Sequence, residues 1–374
     1  MRPSGVLIGL VLLSTACSVP PGRSSASQTS VAAVSSTPSQ SVLPASVLDD
    51  RFGFVLSDSS VGPRPVVRRE SDPRPVFTMS EALGTPMAVS PDGRRLAYWT
   101  GNELHILDVA ENARPNILLA VTTVRSVEQG QSLAWSSDST GLVIGVTGPP
   151  INAGADAPPE YSALRLLEAS GGQPREIVRV ENRVLVPLAW DRRARVITAY
   201  EPAQAGVVSL DVIDEGGKLE RNAVTPGPIT VQASPDGHQT LATGYPDNVL
   251  WVWPAGSAAR PIELRSPAAE RIHAASWRPS TSEIGVLVGD RLEIWDSSGG
   301  RRRVPLPSLP PTSNPNRSLI FRSDGSVVFI GLVLDPRAGE RPDVHFVAVD
   351  LTTGRSVVIV TNGVPLFASV RIDP

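Results

Sequence analysis

An all-β fold is what this 374-residue sequence predicts, and three observations predict it. From about residue 50 onward, short β-branched and aromatic runs alternate with clusters of Gly, Pro, Asp and Asn, with no long stretch of helical period. A strand–turn–strand element recurs six times at one phase. A second alternating strand, ending in an acid or a turn, follows each copy. Four antiparallel strands repeating every 43 to 55 residues are the sequence form of a β-propeller blade. A β-sandwich with regular hairpins would not need the same turn chemistry at one fixed phase.

The chain begins differently. Arg2 is a minimal positive start, and Gly5 to Leu13 is an apolar run too short for a bilayer, which takes about 20 residues. Ser14-Thr15-Ala16 then leads into Cys17, the only cysteine. This pattern resembles a bacterial lipobox, with Ser14 where leucine is commoner. The resemblance implies cleavage before Cys17, a diacylglyceryl group on its sulfur and acylation of the new N-terminus. Two or three acyl chains make physical sense, because one holds a protein only marginally. The alternative is an ordinary secretory signal whose cysteine is incidental.

Three segments are therefore expected: a signal peptide over 1–16, a lipidated Cys17 with a Ser/Ala/Pro-rich tether over 17–48, and a propeller over 49–374. The tether cannot bury enough apolar surface to offset its ordering entropy, and about 30 flexible residues reach roughly 30 Å. The expected location is the extracytoplasmic face of the cell membrane, in the cell envelope, with palmitate-type acylation at Cys17. A secreted domain with no further cysteine has no internal disulfide framework, so packing must stabilise it. A net charge of -3 excludes strong attraction to nucleic acid or to an anionic membrane surface. Lys218 is the only lysine, which leaves little room for Schiff-base chemistry.

The first repeated element reads Met87-Ala-Val-Ser-Pro-Asp-Gly93, then Arg-Arg-Leu-Ala-Tyr-Trp99. Taking Ser90, Ser136, Asp191, Ser234, Arg278 and Arg322 as equivalent gives spacings of 46, 55, 43, 44 and 44. The follower strands include Leu104–Asp108, Leu164–Glu168, Leu250–Pro254, Leu292–Asp296 and Phe346–Asp350. Fourth strands are expected at Ile117–Ala120, Glu176–Val180 and Val357–Val360. Leu366 lies 44 residues after Arg322, so 366–372 reads as an innermost strand with no followers. At the other end Gly53–Leu56, Val66–Glu70 and Val76–Met79 are three strands lacking an innermost partner. Joining one C-terminal strand to three N-terminal strands closes a ring of seven blades and removes open edges. Six blades would result if the terminal strands merely capped the ring.

Ser90-Pro91-Asp92-Gly93 and Ser234-Pro235-Asp236-Gly237 resemble the repeat of TolB-type and WD40-like bacterial propellers, and Trp295-Asp296 resembles the dipeptide that names WD40 blades. The likeness covers about residues 50 to 374 and implies the fold, hardly the function. The chain also resembles the propeller part of actinobacterial lipoproteins, without their extra N-terminal domains. Proline presets φ, aspartate bonds nearby backbone, and glycine accepts positive φ in such turns. Ala348 to Arg355 resembles one repeat of quinone-cofactor propellers, but Val358 stands where that family has tryptophan. No cofactor is expected.

In a blade of strands a to d, the b–c and d–a connections share one face, and the a–b and c–d turns share the other. The long connections 147–161, 306–317 and 334–343 all fall on the b–c/d–a face. Long loops on a rigid scaffold commonly carry binding, so Pro149, Asn152, Asp156, Tyr161, Tyr245, Asn314, Arg337 and Arg341 are the candidate binding residues. The implied partner is an envelope protein or peptide, bound by a monomer. No catalytic constellation stands out. The histidines His105, His238, His273 and His345 are spread over four blades with no metal-ligand spacing, and no Gly-x-Ser-x-Gly elbow is present. Asp108, Asp296 and Asp350 read as turn formers, and Trp135, Trp190 and Trp277 as inter-blade packing. The chain is therefore read as a binding scaffold and not an enzyme. The alternative is a small-ligand-binding or lactonase-like hydrolytic propeller using the central channel, for which Asn102, Glu128 and Asn248 form no recognisable set.

Overall fold

The computed structural model describes residues 47–372 except 59–63, 73, 79–85, 101–102, 111–115, 121–128, 151–157, 203–206, 227, 245–247, 255–260, 307–316, 334–343 and 362. The signal, Cys17 and the tether up to residue 46 lie outside the described residues. So do Asn102, Glu128, Asn152, Asp156, Tyr245, Asn314, Arg337 and Arg341.

Seven four-stranded antiparallel sheets form a seven-bladed β-propeller. Blade 1 is built from β1 (Phe52–Asp58), β2 (Arg64–Arg69), β3 (Pro75–Thr78) and, as its innermost strand, the C-terminal β28 (Gly363–Arg371). Blade 2 holds β4 (Met87–Val89), β5 (Arg95–Thr100), β6 (Glu103–Asp108) and β7 (Asn116–Ala120). Blade 3 holds β8 (Gln129–Trp135), β9 (Gly141–Thr147), β10 (Tyr161–Glu168) and β11 (Arg175–Glu181). Blade 4 holds β12 (Val186–Asp191), β13 (Val196–Pro202), β14 (Val207–Asp214) and β15 (Leu219–Pro226). Blade 5 holds β16 (Pro228–Ala233), β17 (Gln239–Gly244), β18 (Val249–Pro254) and β19 (Ile262–Arg265). Blade 6 holds β20 (Ile272–Trp277), β21 (Glu283–Val288), β22 (Arg291–Asp296) and β23 (Arg301–Val304). Blade 7 holds β24 (Ser318–Phe321), β25 (Val327–Val333), β26 (Val344–Asp350) and β27 (Ser356–Thr361). The expected ring of seven, closed by one C-terminal and three N-terminal strands, is the observed one.

The repeated turns explain the regular phase. In blade 2 the Gly93 N–H donates to Ser90 O at 2.8 Å, and the Arg95 N–H donates to Ser90 Oγ at 2.9 Å. Ser90 Oγ in turn donates to Asp92 Oδ1 at 2.5 Å. The same pattern returns at Ser136-Asp138-Gly141 and Ser234-Asp236-Gln239. Gly93, Gly237 and Gly325 have φ of 73°, 75° and 72°, a backbone region that glycine enters without steric cost. Ser139 occupies the equivalent place in blade 3 at 62°.

Each blade is apolar on both faces because each face packs on a neighbour. Seven buried clusters result, one between every adjacent pair of blades. Strand β9 is accordingly buried along its whole length. The tryptophans sit as packing: Trp135, Trp190 and Trp277 are all buried, and the Trp135 indole N–H donates to Ala88 O of the preceding blade at 2.9 Å. Outer strands carry charge instead, as in the exposed run Arg301-Arg302-Arg303 of β23, which keeps an open edge from pairing with another chain.

Ring closure combines two devices. Strand β28 pairs with β1 from Phe52↔Arg371 to Asp58↔Gly363. Beside it, Arg322 of blade 7 forms a buried ion pair with Glu70 of blade 1, donating through Nε to Oε1 at 2.8 Å and through a second nitrogen to Val47 O at 2.6 Å. Glu70 lies just past the end of β2, one residue short of the expected strand, and its carboxylate reaches Arg322. Val47 and Leu48 pack into the cluster shared by blades 7 and 1, with Phe54 edge-on to Phe329 at 4.6 Å. Burial pushes the Glu70 carboxyl up, against the pull of the Arg322 guanidinium.

Removing one partner of such a buried pair strands the other charge, at about 3–5 kcal/mol. Glu70→Ala should therefore lower unfolding stability by about that amount in urea titration, whereas Glu70→Leu combined with Arg322→Met should recover most of the loss.

Candidate functional site

The strand assignments place 147–161 and 334–343 as b–c connections and 306–317 as a d–a connection. All three leave the same face, as expected. The first has a described stem. Strands β9 and β10 continue past their ends through Gly148 N–H to Tyr161 O at 2.9 Å, Glu160 N–H to Pro149 O at 2.7 Å and a bridge between Pro150 and Pro159. Arg179 of β11 lies over the Tyr161 ring at 4.0 Å. A side chain at Gly148 would collide with that ring, since a Cβ there would sit 2.6 Å from it. Of the eight candidate residues, Pro149 and Tyr161 thus share one stiffened hairpin stem.

The other singled-out residues sort into packing and turns. His105 stacks on Tyr98 at 5.3 Å and contacts Glu103 at 3.2 Å. His238 Nδ1 stands 2.9 Å from Asp191 Oδ2 across the blade 4–blade 5 boundary, and His345 lies in β26. Asp296 accepts the Ser298 and Gly300 N–H groups, and Asp350 those of Thr352 and Thr353. Asn248 precedes β18 and accepts the Ser266 N–H through its carbonyl. Among the described residues, no three His, Cys, Asp or Glu side chains come together as a metal site.

Two features escaped sequence reasoning. The first is a charged cluster toward the long-loop face of blade 4. Arg183 and Arg221 both bond Glu201 Oε2, and Arg221 Nε stands 3.5 Å from Oδ1 of the fully buried Asp211. Neither Asp211 oxygen has a hydrogen-bond partner. Burial pushes its carboxyl up, with Glu201 adding to the shift and Arg221 and Arg183 opposing it. The alternation of β14 gives no warning, because Asp211 falls with Ser209 on the polar phase that Val208, Leu210 and Val212 flank, a phase that reads as solvent-facing and is buried in the structure.

The second feature is a cavity of about 340 Å³ on the propeller axis, lined by residues from all seven blades. Ser90, Pro91, Ser137, Pro235, Pro279 and Ser323 place its mouth at the a–b turns, the face opposite the long loops. Its walls include Leu133, Trp135, Trp277 and Phe321. The sequence places the binding face by loop length, and loop length says nothing about the width of the axial channel.

This geometry defines the class of protein: a single closed seven-bladed propeller with tight turns on one face and long connections on the other. No family model matches the chain, and no curated protein matches it. Among solved structures, the chain resembles an oligogalacturonate lyase in complex with manganese (TM-score 0.56, 15% identity, 81% of this chain and 91% of that one). It also resembles a functionally unknown protein from Desulfotomaculum acetoxidans DSM 771 (TM-score 0.54, 12% identity, 86% of this chain and 100% of that one). At such identities the likeness concerns the fold alone.

The Asp211 carboxyl yields a signed pH dependence. Its pKa is raised on folding, so the folded state holds the proton longer than the unfolded chain, where aspartate titrates near 3.9. The effect is absent well below that value, costs stability increasingly as pH rises from there to the folded pKa, and then levels off. Asp211→Asn removes it, so denaturant titrations from about pH 4 upward should show the variant gaining on the wild type as pH rises.

Proposed function

We propose that this protein is a lipid-anchored, extracytoplasmic β-propeller that acts as a protein- or peptide-binding scaffold in the bacterial envelope, without catalytic activity of its own. The observation that carries the reading is the disposition of the two faces. Strand β1 is the b strand of its blade, so the chain enters the propeller at the a–b turn face. There Val47 is buried and its carbonyl is held by Arg322. An anchor at Cys17 would join the propeller through that face, and the three long connections leave from the other one.

The hairpin stem at Gly148 to Pro150 and Pro159 to Tyr161 adds to this reading. A stem stiffened by backbone hydrogen bonds and an Arg179–Tyr161 contact presents its tip with less entropy left to lose on docking. Proline at 149, 150, 158 and 159 acts in the same direction. Pro149 and Tyr161, with Asn152, Asp156, Tyr245, Asn314, Arg337 and Arg341 of the b–c and d–a connections, are the proposed contact residues.

Two measurements test the two halves separately. Cys17→Ser should move the mature protein from the membrane fraction to the soluble one; retention at wild-type levels removes the lipid anchor from the reading. Crosslinking followed by pull-down from native membranes should capture a partner with the wild-type chain and lose it when 150–159 is replaced by a short Gly-Ser turn. Equal capture by both chains would move the docking surface off this hairpin.

A further inference from the structure

The axial cavity is built from one phase of the innermost strands. Two residues before each equivalent turn position the chain carries Ala88, Ala134, Ala189, Gln232, Ser276 and Ile320, and all six line the cavity. Small side chains dominate this set. Space remains on the axis where larger ones would have met, and about 340 Å³ lies within the size range of small-molecule pockets, roughly 300–1,000 Å³.

Among the described residues, no charged side chain lines this space, although the turns around it are rich in acids and arginines. The turn chemistry is the reason. Asp92 accepts Ser90 Oγ and the Arg94 N–H, and Asp236 accepts Ser234 Oγ and the His238 N–H, so each carboxylate is engaged in its own turn. Arg278 reaches across to Gly325 O at 2.8 Å and pairs with Glu283, while Arg322 is committed to Glu70. An ion entering the cavity would shed hydration with no countercharge to replace it. A neutral ligand meets no such penalty. It finds apolar wall from Trp135, Trp277 and Phe321 beside the polar side chains of Gln232, Ser276 and Ser323, the mixture that orients a small molecule in a mostly apolar pocket.

We propose that the turn-face end of the axial channel is a binding site for an uncharged, hydroxyl-bearing small molecule of the size of a neutral mono- or disaccharide. The site is opposite the long loops and depends on neither the lipid anchor nor the docking partner.

The test is calorimetric titration of the purified full chain with glucose, maltose and myo-inositol, and in parallel with glucuronate and glucosamine. At least one neutral probe should bind with a Kd of about 1 mM or tighter and perturb tryptophan fluorescence, with the charged probes at least about tenfold weaker. Two variants locate the site. Ala88→Leu fills the axis from a position that is only partly buried, and Ser276→Asp brings a charge to the wall; each should weaken binding about tenfold or more while melting like the wild type. The proposal is overturned if no neutral probe binds, if the charged probes bind as tightly, or if both variants fold normally and bind unchanged.

Discussion

The pairing of β28 with β1 is the contact on which the rest of the propeller depends. Each blade is apolar on both faces, and every face is covered only by the next blade in the ring. Such an arrangement has no natural end. Were blade 1 to lack its innermost strand, the clusters it shares with blades 7 and 2 would both open: Val370 packs toward blade 2, and Arg322 and Val47 seal the side toward blade 7. Residues some 300 positions apart in sequence must therefore meet before the circle holds. The entropy of closing so long a loop grows only slowly with its length, so the cost falls on folding rate more than on stability.

The a–b turns extend this closure around the whole circumference. Asp92 N–H donates to Ser139 Oγ, Ser137 N–H to Trp190 O, Arg278 Nε to Gly325 O, Ser323 N–H to Ser369 Oγ and Arg371 N–H to Gly93 O. Asp191 and His238 meet between blades 4 and 5, and Gln232 bonds Ala275 O between blades 5 and 6. Every neighbouring pair of blades is thus stapled near its innermost turn. Two of these staples, Arg278 Nε to Gly325 O and Asp191 to His238, also engage charged side chains of the turns, so part of what locks the ring keeps charge out of the cavity lining.

What the sequence made legible follows from what repeats. The turn Ser-Pro-Asp-Gly has a local cause in proline, aspartate and glycine, and six phased copies with a seventh assembled from the termini are enough to count blades. The Trp135, Trp190 and Trp277 phase read as packing for the same reason: a residue type recurring at one phase in blades 3, 4 and 6 answers to the interface between blades. The Glu70–Arg322 pair had no such signal, because its partners are 252 residues apart and Arg278, the arginine at the same phase in blade 6, pairs with the nearby Glu283 instead. Asp211 was hidden by the opposite problem: with Ser209 it falls on the polar phase of a regularly alternating strand, which reads as a solvent face and is buried. The cavity was present in the sequence as Ala88, Ala134 and Ala189, but small residues become a space only once seven strands are known to converge.

Topology also fixes which face does what. A propeller closed by one C-terminal and three N-terminal strands must start its chain at strand b, and strand b always begins at the tight-turn face. It must also end its chain at strand a, which finishes at the same face; here Ile372 N–H donates to Arg51 O where the two ends meet. With a closure of two strands and two, the chain would begin at strand c and enter among the long connections. The separation of chain entry from long loops is therefore a consequence of how the ring is sealed. Any segment preceding β1 shares its face with the neutral mouth of the channel, and the b–c and d–a connections are left free to lengthen on the far side without disturbing either.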